Sequence, residues 1–225
     1  PEVLKGILDR HEWDFVQIQL NYLDWDLQDA KGQYELLAGR GIPCVVMEPI
    51  RGGNLATLCQ KSVELLKARH PGRSIASWAL RFSASLPGVL TVLSGMTAME
   101  HVTDNVRTMT EFAPLSDEEY AVLEQAKQAY VATDTIPCTG CRYCMDCPEG
   151  VDIPGVFSVY NSCATTLGLP VNSSLHYAFD KNAQAFLNAY RDLPEEVQAK
   201  NCVACGQCME HCPQGIAIPD QMAKI

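Results

Sequence analysis

One cysteine pattern occurs twice in the C-terminal half of the chain. Its two copies read Cys138-x2-Cys141-x2-Cys144-x2-Cys147-Pro148 and Cys202-x2-Cys205-x2-Cys208-x3-Cys212-Pro213. Two-residue gaps let a turning backbone present three thiolates to one iron–sulfur cube, while a fourth cysteine, followed by proline, serves the other cube. Eight of the eleven cysteines belong to these copies. The pattern therefore predicts two [4Fe-4S] clusters, and with them electron transfer, in this part of the chain.

The same spacing predicts which cysteines share a cluster. One set is Cys138, Cys141, Cys144 and Cys212; the other is Cys202, Cys205, Cys208 and Cys147. Structural zinc bound by four thiolates is the competing interpretation, although zinc sites usually separate two C-x2-C pairs by a longer loop. Ligand sets that cross between the copies would hold the two copies together even without a large core.

The repeat continues beyond the cysteines. The segment from Cys147 to Pro154 reads CPEGVDIP, and it returns 65 residues later as CPQGIAIP, from Cys212 to Pro219. Each copy ends in Ile-Pro, and proline is well suited to the first turn of a helix because its missing N–H would be unpaired there. Two loop-and-helix units related by a pseudo-twofold axis are the expected arrangement.

Charge and composition narrow the function classes. The chain has 225 residues and a formal net charge of −10, whereas a nucleic-acid-binding protein needs a basic face. No apolar run is long enough to span a membrane, and a secretory leader is not expected from this sequence. Because the cysteines are tightly clustered rather than dispersed, reduced thiolates in a cytoplasmic protein are expected instead of disulfides.

The two halves of the chain follow different patterns. Residues 1–115 alternate helix-like segments with three apolar strands, predicted at 15–20, 42–47 and 89–93, which indicates a parallel sheet covered by helices. Single helices are predicted over 26–40, 62–69 and 74–83. Capping boxes at Thr97-x-x-Glu100 and Ser116-x-x-Glu119 predict two further helix starts. Residues 116–225 show no strand pattern after position 137 and a helical stretch over 156–200. The predicted class is α/β followed by all-α.

The first half resembles the aldo/keto reductases, in the branch with a ferredoxin-type C-terminal extension. The segments that carry the resemblance are 13–23 (WDFVQIQLNYL), 41–53 (GIPCVVMEPIRGG), 77–81 (SWALR), and 92–97 (VLSGMT) continuing to Asp104 and Asn105. The resemblance implies a (β/α)8 TIM barrel that binds NAD or NADP and reduces a small-molecule carbonyl substrate. It makes the three strands the sixth to eighth of that barrel, and residues 116–225 a dicluster ferredoxin-like domain.

The resemblance also implies which residues contact the nucleotide. The matching positions are Gln17 beside the carboxamide, Met47 under the nicotinamide ring, the pyrophosphate loop Pro49, Ile50, Arg51 and Gly52, and the adenosine segment Gly95, Met96, His101, Asp104 and Asn105. Many members have a stacking tyrosine where this chain has Met47. Members that prefer NADP often have Lys at the position of Gly95 and Arg at that of His101, and neither cation is present here.

The family's catalytic tetrad lies on earlier strands that this sequence does not contain. A complete barrel takes about 250 residues, so the sequence is expected to be the C-terminal part of a longer enzyme and, alone, not to reduce carbonyls. A redox protein partner is expected for the clusters. Two other interpretations stay open: a non-enzymatic electron-transfer or docking module, and a metal-stabilised packing domain without redox turnover.

Overall fold

A computed structural model describes residues 2–166, 169 and 179–225. The chain divides into two compact units, residues 1–128 and 129–225. The boundary inferred from sequence lay earlier, between residues 115 and 116. The structure groups most of the following helix with the first unit, because Ser62 Oγ donates to the Ala126 carbonyl at 2.7 Å and Arg81 pairs with Glu119.

The first unit is built on a three-stranded parallel sheet, as the strand pattern predicts. The strands are β1 (Val16–Gln19), β2 (Cys44–Met47) and β3 (Val89–Val92), in the order β1-β2-β3. Around them are α1 (Glu2–Leu8), α2 (Asp24–Leu27), α3 (Ala30–Gly39), a 3-10 segment (Arg51–Ala56), α4 (Gln60–Arg69), α5 (Ile75–Ala84), α6 (Met99–Thr110) and α7 (Asp117–Val131). Leu20, Val46 and Trp78 are at most 1% exposed and mark the core between sheet and helices.

The single helix predicted over 26–40 is wrong. The chain forms α2 and α3 instead, and Asp29 between them has φ 49°. This left-handed conformation breaks the helical hydrogen bonds, and the Asp29 carboxylate then accepts the Gly32 N–H at 3.3 Å to begin α3.

Only one of the two predicted capping boxes forms. Ser116 N–H donates to Glu119 Oε2 at 2.9 Å, and Glu119 N–H donates to Ser116 Oγ at 3.3 Å, so the reciprocal pair at the start of α7 is confirmed. The box predicted at Thr97 is wrong. Helix α6 has Ala98 as its N-cap, without a side-chain hydrogen bond.

The second unit is helical, as predicted, and residues 137–166, 169 and 179–225 contain no strand. Its elements are α8 (Ile153–Thr166), α9 (Phe179–Arg191), two 3-10 segments (Glu195–Val197 and Ala199–Asn201), α10 (Gln207–Glu210) and α11 (Ile218–Lys224). Both Ile-Pro pairs begin helices, which confirms that expectation. The middle of the helical stretch predicted over 156–200 lies outside the described residues. Within the described part of the chain, no helix has the length and apolar character needed to cross a membrane.

Candidate metal centres and nucleotide groove

The structure brings the eight cysteines of the repeat together in two groups of four. One cavity of about 310 Å³, counting space open to solvent, is lined by Cys138, Cys141, Cys144 and Cys212. A second, of about 380 Å³, is lined by Cys147, Cys202, Cys205 and Cys208. We call these site 1 and site 2. Each site takes three cysteines from one copy of the repeat and one from the other, which is the crossed grouping predicted from the spacing.

The two sites have walls made of equivalent positions. Positions of the first copy recur 64 residues later up to Cys144 and 65 residues later from Cys147 onward. The equivalent wall pairs, with the site 1 residue first, are Thr139 and Val203, Arg142 and Gly206, Pro154 and Pro219, Phe157 and Met222, Gln214 and Glu149, and Ile216 and Val151. Ile153 and Ile218 line both sites. The pseudo-twofold relation inferred from sequence therefore holds for these wall pairs, whereas Pro148 in site 2 and His211 in site 1 have no equivalent in the other wall.

The two cysteine loops also share their unusual backbone angles. Gly140 and Arg142 have φ of 70° and 66°, and the equivalent Ala204 and Gly206 have φ of 56° and 80°. A pair of left-handed residues so close together turns the chain tightly and directs main-chain N–H groups inward. In the first copy, Gly140 N–H donates to Cys138 Sγ at 3.4 Å. Such donors stabilise negative charge on cysteine sulfur and tune a bound cluster.

Side chains from the helices fix the ends of the cysteine loops. The Asn161 side chain on α8 pairs with the main chain of Ile136, accepting its N–H at 2.7 Å and donating to its carbonyl at 2.8 Å. This pair anchors the segment that leads to Cys138. On the other copy, Tyr190 Oη accepts the Ala199 N–H at 2.7 Å, three residues before Cys202.

Burial and neighbouring thiols raise the pKa of one cysteine in each site, Cys144 in site 1 and Cys208 in site 2. Burial, and then the charges of Cys138, Cys141 and Cys212, raise the pKa of Cys144 from 9.0 to about 11. Burial, with Cys202, Cys205 and Cys147, likewise raises the pKa of Cys208. Four thiolates at one site repel each other unless bound cations offset their charge, so metal binding must displace these protons.

The donor set fits an iron–sulfur cube better than a single ion. Zinc binds four thiolates at about 2.3 Å, which places neighbouring sulfurs about 3.8 Å apart. Among the described residues, no three His, Cys, Asp or Glu side chains converge on one ion in this way. The four cysteines of each site instead surround a cavity, which is the arrangement by which four thiolates hold a [4Fe-4S] cube.

A separate groove lies in the first unit, where strands β2 and β3 end. It has a volume of about 2060 Å³, counting space open to solvent. Nine of the eleven residues that the resemblance assigns to the nucleotide line it: Pro49, Ile50, Arg51, Gly52, Gly95, Met96, His101, Asp104 and Asn105. Because the carboxyl ends of parallel strands meet at one edge, two loops distant in sequence and helix α6 come together here.

The loop after β2 is held from beneath by a buried ion pair. Arg51 is 1% exposed, and its Nε donates to Asp24 Oδ1 at 2.8 Å. Asp24 is fully buried and also accepts from Gln19 and Asn21, at 2.7 Å each. A ligand in the groove would therefore reach Arg51 through its main chain. Gly52 follows with φ 62°, and its N–H donates to Glu48 Oε2 at 2.5 Å.

The other two assigned residues lie outside the groove wall. Gln17 on β1 donates from Nε2 to Met47 Sδ on β2 at 3.2 Å. The two residues thus form a pair at the sheet, and Met47 is 37% exposed. Both residues belong to strands of the same sheet, but neither lines the groove formed by the other nine.

Glu48, Lys67, Ser74 and Glu100 are among the groove residues that sequence reasoning did not assign to the nucleotide. Ser74 had a detectable signal, since it is the N-cap of α5 and donates to Asp104 Oδ2 at 2.5 Å. Glu48 lies in the segment 41–53 that carries the family resemblance but was given no role, and Lys67 has no motif around it. Ile153 and Ile218 were also missed as site residues, although both stand in the repeated Ile-Pro pairs.

Comparisons with known proteins follow the same division of the chain. The model described as aldo/keto reductase family matches residues 1–128, and the model described as 4Fe-4S dicluster domain matches residues 130–213. No curated protein matches the chain.

The solved structures that are similar to the chain include three of aldo-keto reductases. Aldo-keto reductase AKR11C1 from Bacillus halodurans, in its holo form, is 24% identical, with 56% of this chain and 46% of that chain covered and a TM-score of 0.46. Its apo form is also 24% identical, with 56% of this chain and 47% of that chain covered and a TM-score of 0.45. The thermostable aldo-keto reductase Tm1743, in complex with the inhibitor epalrestat, is 23% identical, with 54% of this chain and 43% of that chain covered and a TM-score of 0.43. The chain therefore spans less than half the length of these proteins. Since the family model covers more than half of its residues, the chain belongs to the aldo/keto reductase family.

Proposed function

We propose that this chain is part of an iron–sulfur oxidoreductase of the aldo/keto reductase type that carries two [4Fe-4S] clusters. The observation that carries the proposal is the grouping of eight cysteines into two cavities of four, each drawn from both copies of the repeat. A [4Fe-4S] cluster supplies one-electron redox chemistry when bound. The chain's own residues supply the thiolates, the apolar walls and the N–H donors around them.

The two ligand sets can be tested with variants in which only one site keeps its full set of cysteines. The triple variant Cys202→Ala, Cys205→Ala, Cys208→Ala retains all four cysteines of site 1 and only Cys147 of site 2. We expect it to hold one cluster after anaerobic reconstitution, measured as iron, acid-labile sulfide and the EPR signal of the reduced protein. Adding Cys212→Ala should abolish that cluster, whereas adding Cys147→Ala should leave it unchanged. The reverse result would show that each copy keeps its own fourth cysteine.

A zinc site predicts a different result from the same samples. The reconstituted chain would contain zinc without acid-labile sulfide, and it would have neither the brown absorption nor the EPR signal of a cube. Two clusters that no physiological reductant can reduce would instead favour the metal-stabilised packing domain over electron transfer.

We further propose that the groove at the ends of β2 and β3 binds the nicotinamide nucleotide, with these strands as the sixth to eighth of a barrel. In support, nine residues assigned to the nucleotide by the family resemblance share one groove wall. In the whole protein, the nucleotide would exchange hydride with a carbonyl substrate, and the clusters would exchange single electrons with a redox protein partner. Linking two-electron hydride to one-electron carriers requires a further redox group, so the two functions are best tested separately.

Nucleotide preference gives the sharpest test of the groove. A Cβ at Gly95 meets no atom within 4 Å, so a longer side chain fits there. The double variant Gly95→Lys, His101→Arg should strengthen NADPH binding without strengthening NADH binding, because it adds two cations for the 2′-phosphate. Gly39→Lys, at an equally open glycine outside the groove, is the control. Titration of the chain and of the whole protein with both nucleotides measures the effect. Equal gains for Gly39→Lys, or no binding by the whole protein, would contradict the assignment.

A further inference from the structure

The walls of sites 1 and 2 match in position but differ in charge. At the position after the second cysteine of each copy, site 1 has Arg142 where site 2 has Gly206. At the position after the fourth cysteine, site 1 has Gln214 where site 2 has Glu149. Of the wall residues that the structure describes, site 1 thus gains a guanidinium and site 2 gains a carboxylate. His211 also lines site 1 only.

The crossed grouping of the cysteines produces this distribution. Arg142 and Glu149 are both in the first copy of the repeat, seven residues apart in sequence. Because the fourth cysteine of each copy lines the opposite site, the residues that follow it line that site too. The first copy therefore gives its cation to site 1 and its anion to site 2, while the equivalent residues of the second copy, Gly206 and Gln214, carry no charge.

Charge of this kind changes how easily a cluster accepts an electron. Reduction adds one negative charge, which a nearby cation stabilises and a nearby anion destabilises. Net charge around the cluster is one of the factors that set iron–sulfur potentials. The differences at the two positions act in the same direction, since both make site 1 the more favourable place for an electron.

Asp152 reduces this difference without removing it. Its Oδ1 lies 3.9 Å from Arg142 NH1, and both side chains are partly exposed, at 26% and 60%. At that separation and exposure the pair is a weak one. Asp152 also caps helix α8 by accepting the Gly155 N–H at 3.2 Å, and it belongs to neither wall. The carboxylate of Glu149 at site 2 is not part of this pair.

We propose that the two clusters are inequivalent, and that the cluster of site 1 has the higher reduction potential and takes the first electron. This inference rests on the two-cluster assignment made above. Electron transfer between the two clusters would then be favourable from site 2 to site 1. No new bond is formed or broken, and the electron comes from a chemical reductant in the test below.

Potentiometric titration with dithionite, followed by EPR, tests the order of reduction in the reconstituted chain. We expect two reduction steps. Arg142→Gln should lower the potential of the upper step and leave the lower step nearly unchanged. Glu149→Gln should raise the lower step and leave the upper one nearly unchanged. High salt should narrow the separation, because Arg142 is largely exposed and its charge is screened.

Matched controls separate wall charges from general charge effects. Arg191→Gln and Glu196→Gln remove the same charges from exposed positions outside both walls, and we expect them to move neither step. The exchange variant Glu149→Gln, Gln214→Glu transfers the carboxylate to site 1 with little change in side-chain size, and it should bring the two steps together or reverse them.

The outcomes distinguish this inference from the proposed function. A chain that binds fewer than two clusters overturns the two-cluster assignment itself. Two clusters that titrate in one step, or an upper step that responds to Glu149→Gln and not to Arg142→Gln, leave the clusters in place and overturn the inequivalence.

Discussion

Arg81 and Glu119 form a two-pronged buried ion pair in the first unit. Arg81 NH1 lies 2.5 Å from Glu119 Oε1, and NH2 lies 2.9 Å from Oε2, with both side chains at most 7% exposed. The same carboxylate accepts the Ser116 N–H and lies 2.8 Å from His70 Nε2. Glu119 therefore joins α5, the segment after α4 and the start of α7 through one side chain.

Stability of the first unit should fall in acid because of Glu119. Burial alone would raise the pKa of this carboxyl, but hydrogen bonds from Arg81 and Ser116 and the charge of Arg81 lower it from 4.5 to about 2. A group with a lowered folded-state pKa stabilises the fold above its unfolded pKa, and the contribution is lost as pH falls toward 2. The shift corresponds to at most about 3 kcal/mol.

Intrinsic fluorescence measures this loss in the first unit alone, because all three tryptophans (Trp13, Trp25 and Trp78) lie there. Urea unfolding between pH 7 and pH 3 should show a midpoint that falls with acid. Glu119→Gln should unfold at a lower urea concentration at pH 7, and its urea midpoint should depend less on pH. A variant with the full acid dependence of the parent would assign the effect to other carboxyls.

Asn161 should control how firmly site 1 holds its cluster. Asn161→Ala leaves the main-chain N–H of buried Ile136 without its acceptor, at a cost of about 1–3 kcal/mol. We expect faster loss of about half of the iron to a chelator, with the cluster of site 2 retained. Asn188→Ala, at an exposed position, is the control. Equal loss from both sites would show that Asn161 stabilises the unit as a whole.

Removing the buried Asp24 carboxylate should destabilise the first unit strongly. Asp24→Ala removes the carboxylate that pairs with the buried Arg51 guanidinium, and breaking a buried ion pair on one side typically costs about 3–5 kcal/mol. The double variant Asp24→Leu, Arg51→Met removes both charges and should recover a large part of the loss, because apolar replacements of a buried pair are often tolerated. Urea midpoints followed by tryptophan fluorescence compare the two. An unchanged midpoint for Asp24→Ala would contradict this account.

The two serine/threonine caps predicted from sequence should respond differently to substitution. Ser116→Ala removes a formed cap and should cost about 1 kcal/mol of unfolding free energy. Thr97→Ala should cost much less, since Ala98 is the N-cap of α6 and no side chain caps that helix. Thermal unfolding of both variants provides the comparison. A greater loss for Thr97→Ala would show that Thr97 stabilises α6 in another way.

The second unit was the more predictable from sequence, because its geometry follows from fixed spacing. The gaps between Cys138 and Cys144, and the proline after Cys147, depend only on residues near one another in the chain. Their grouping across the repeat agrees with the cavities. The parallel sheet was predictable for a similar reason, since short apolar runs separated by helical segments admit few other arrangements.

The features that sequence missed depend on contacts between distant residues or on a single backbone angle. The break at Asp29 depends on one left-handed residue, for which aspartate is a weak signal. The position of Gln17 beside Met47, away from the groove wall, depends on how β1 and β2 pair. Lys67 enters the groove from a helix with no motif to mark it, so only the folded chain shows its place.

Ile153 and Ile218 each belong to both cysteine sites, and this limits how the two halves of the repeat can diverge. A substitution at either isoleucine changes two sites in one mutational step, so its benefit to one must outweigh its harm to the other. Phe157 and Met222 each belong to one site and can vary separately. The two sites can therefore diverge at positions that belong to one wall only, where Arg142 and Glu149 already differ from their counterparts. Ile153 and Ile218, which belong to both walls, are more constrained.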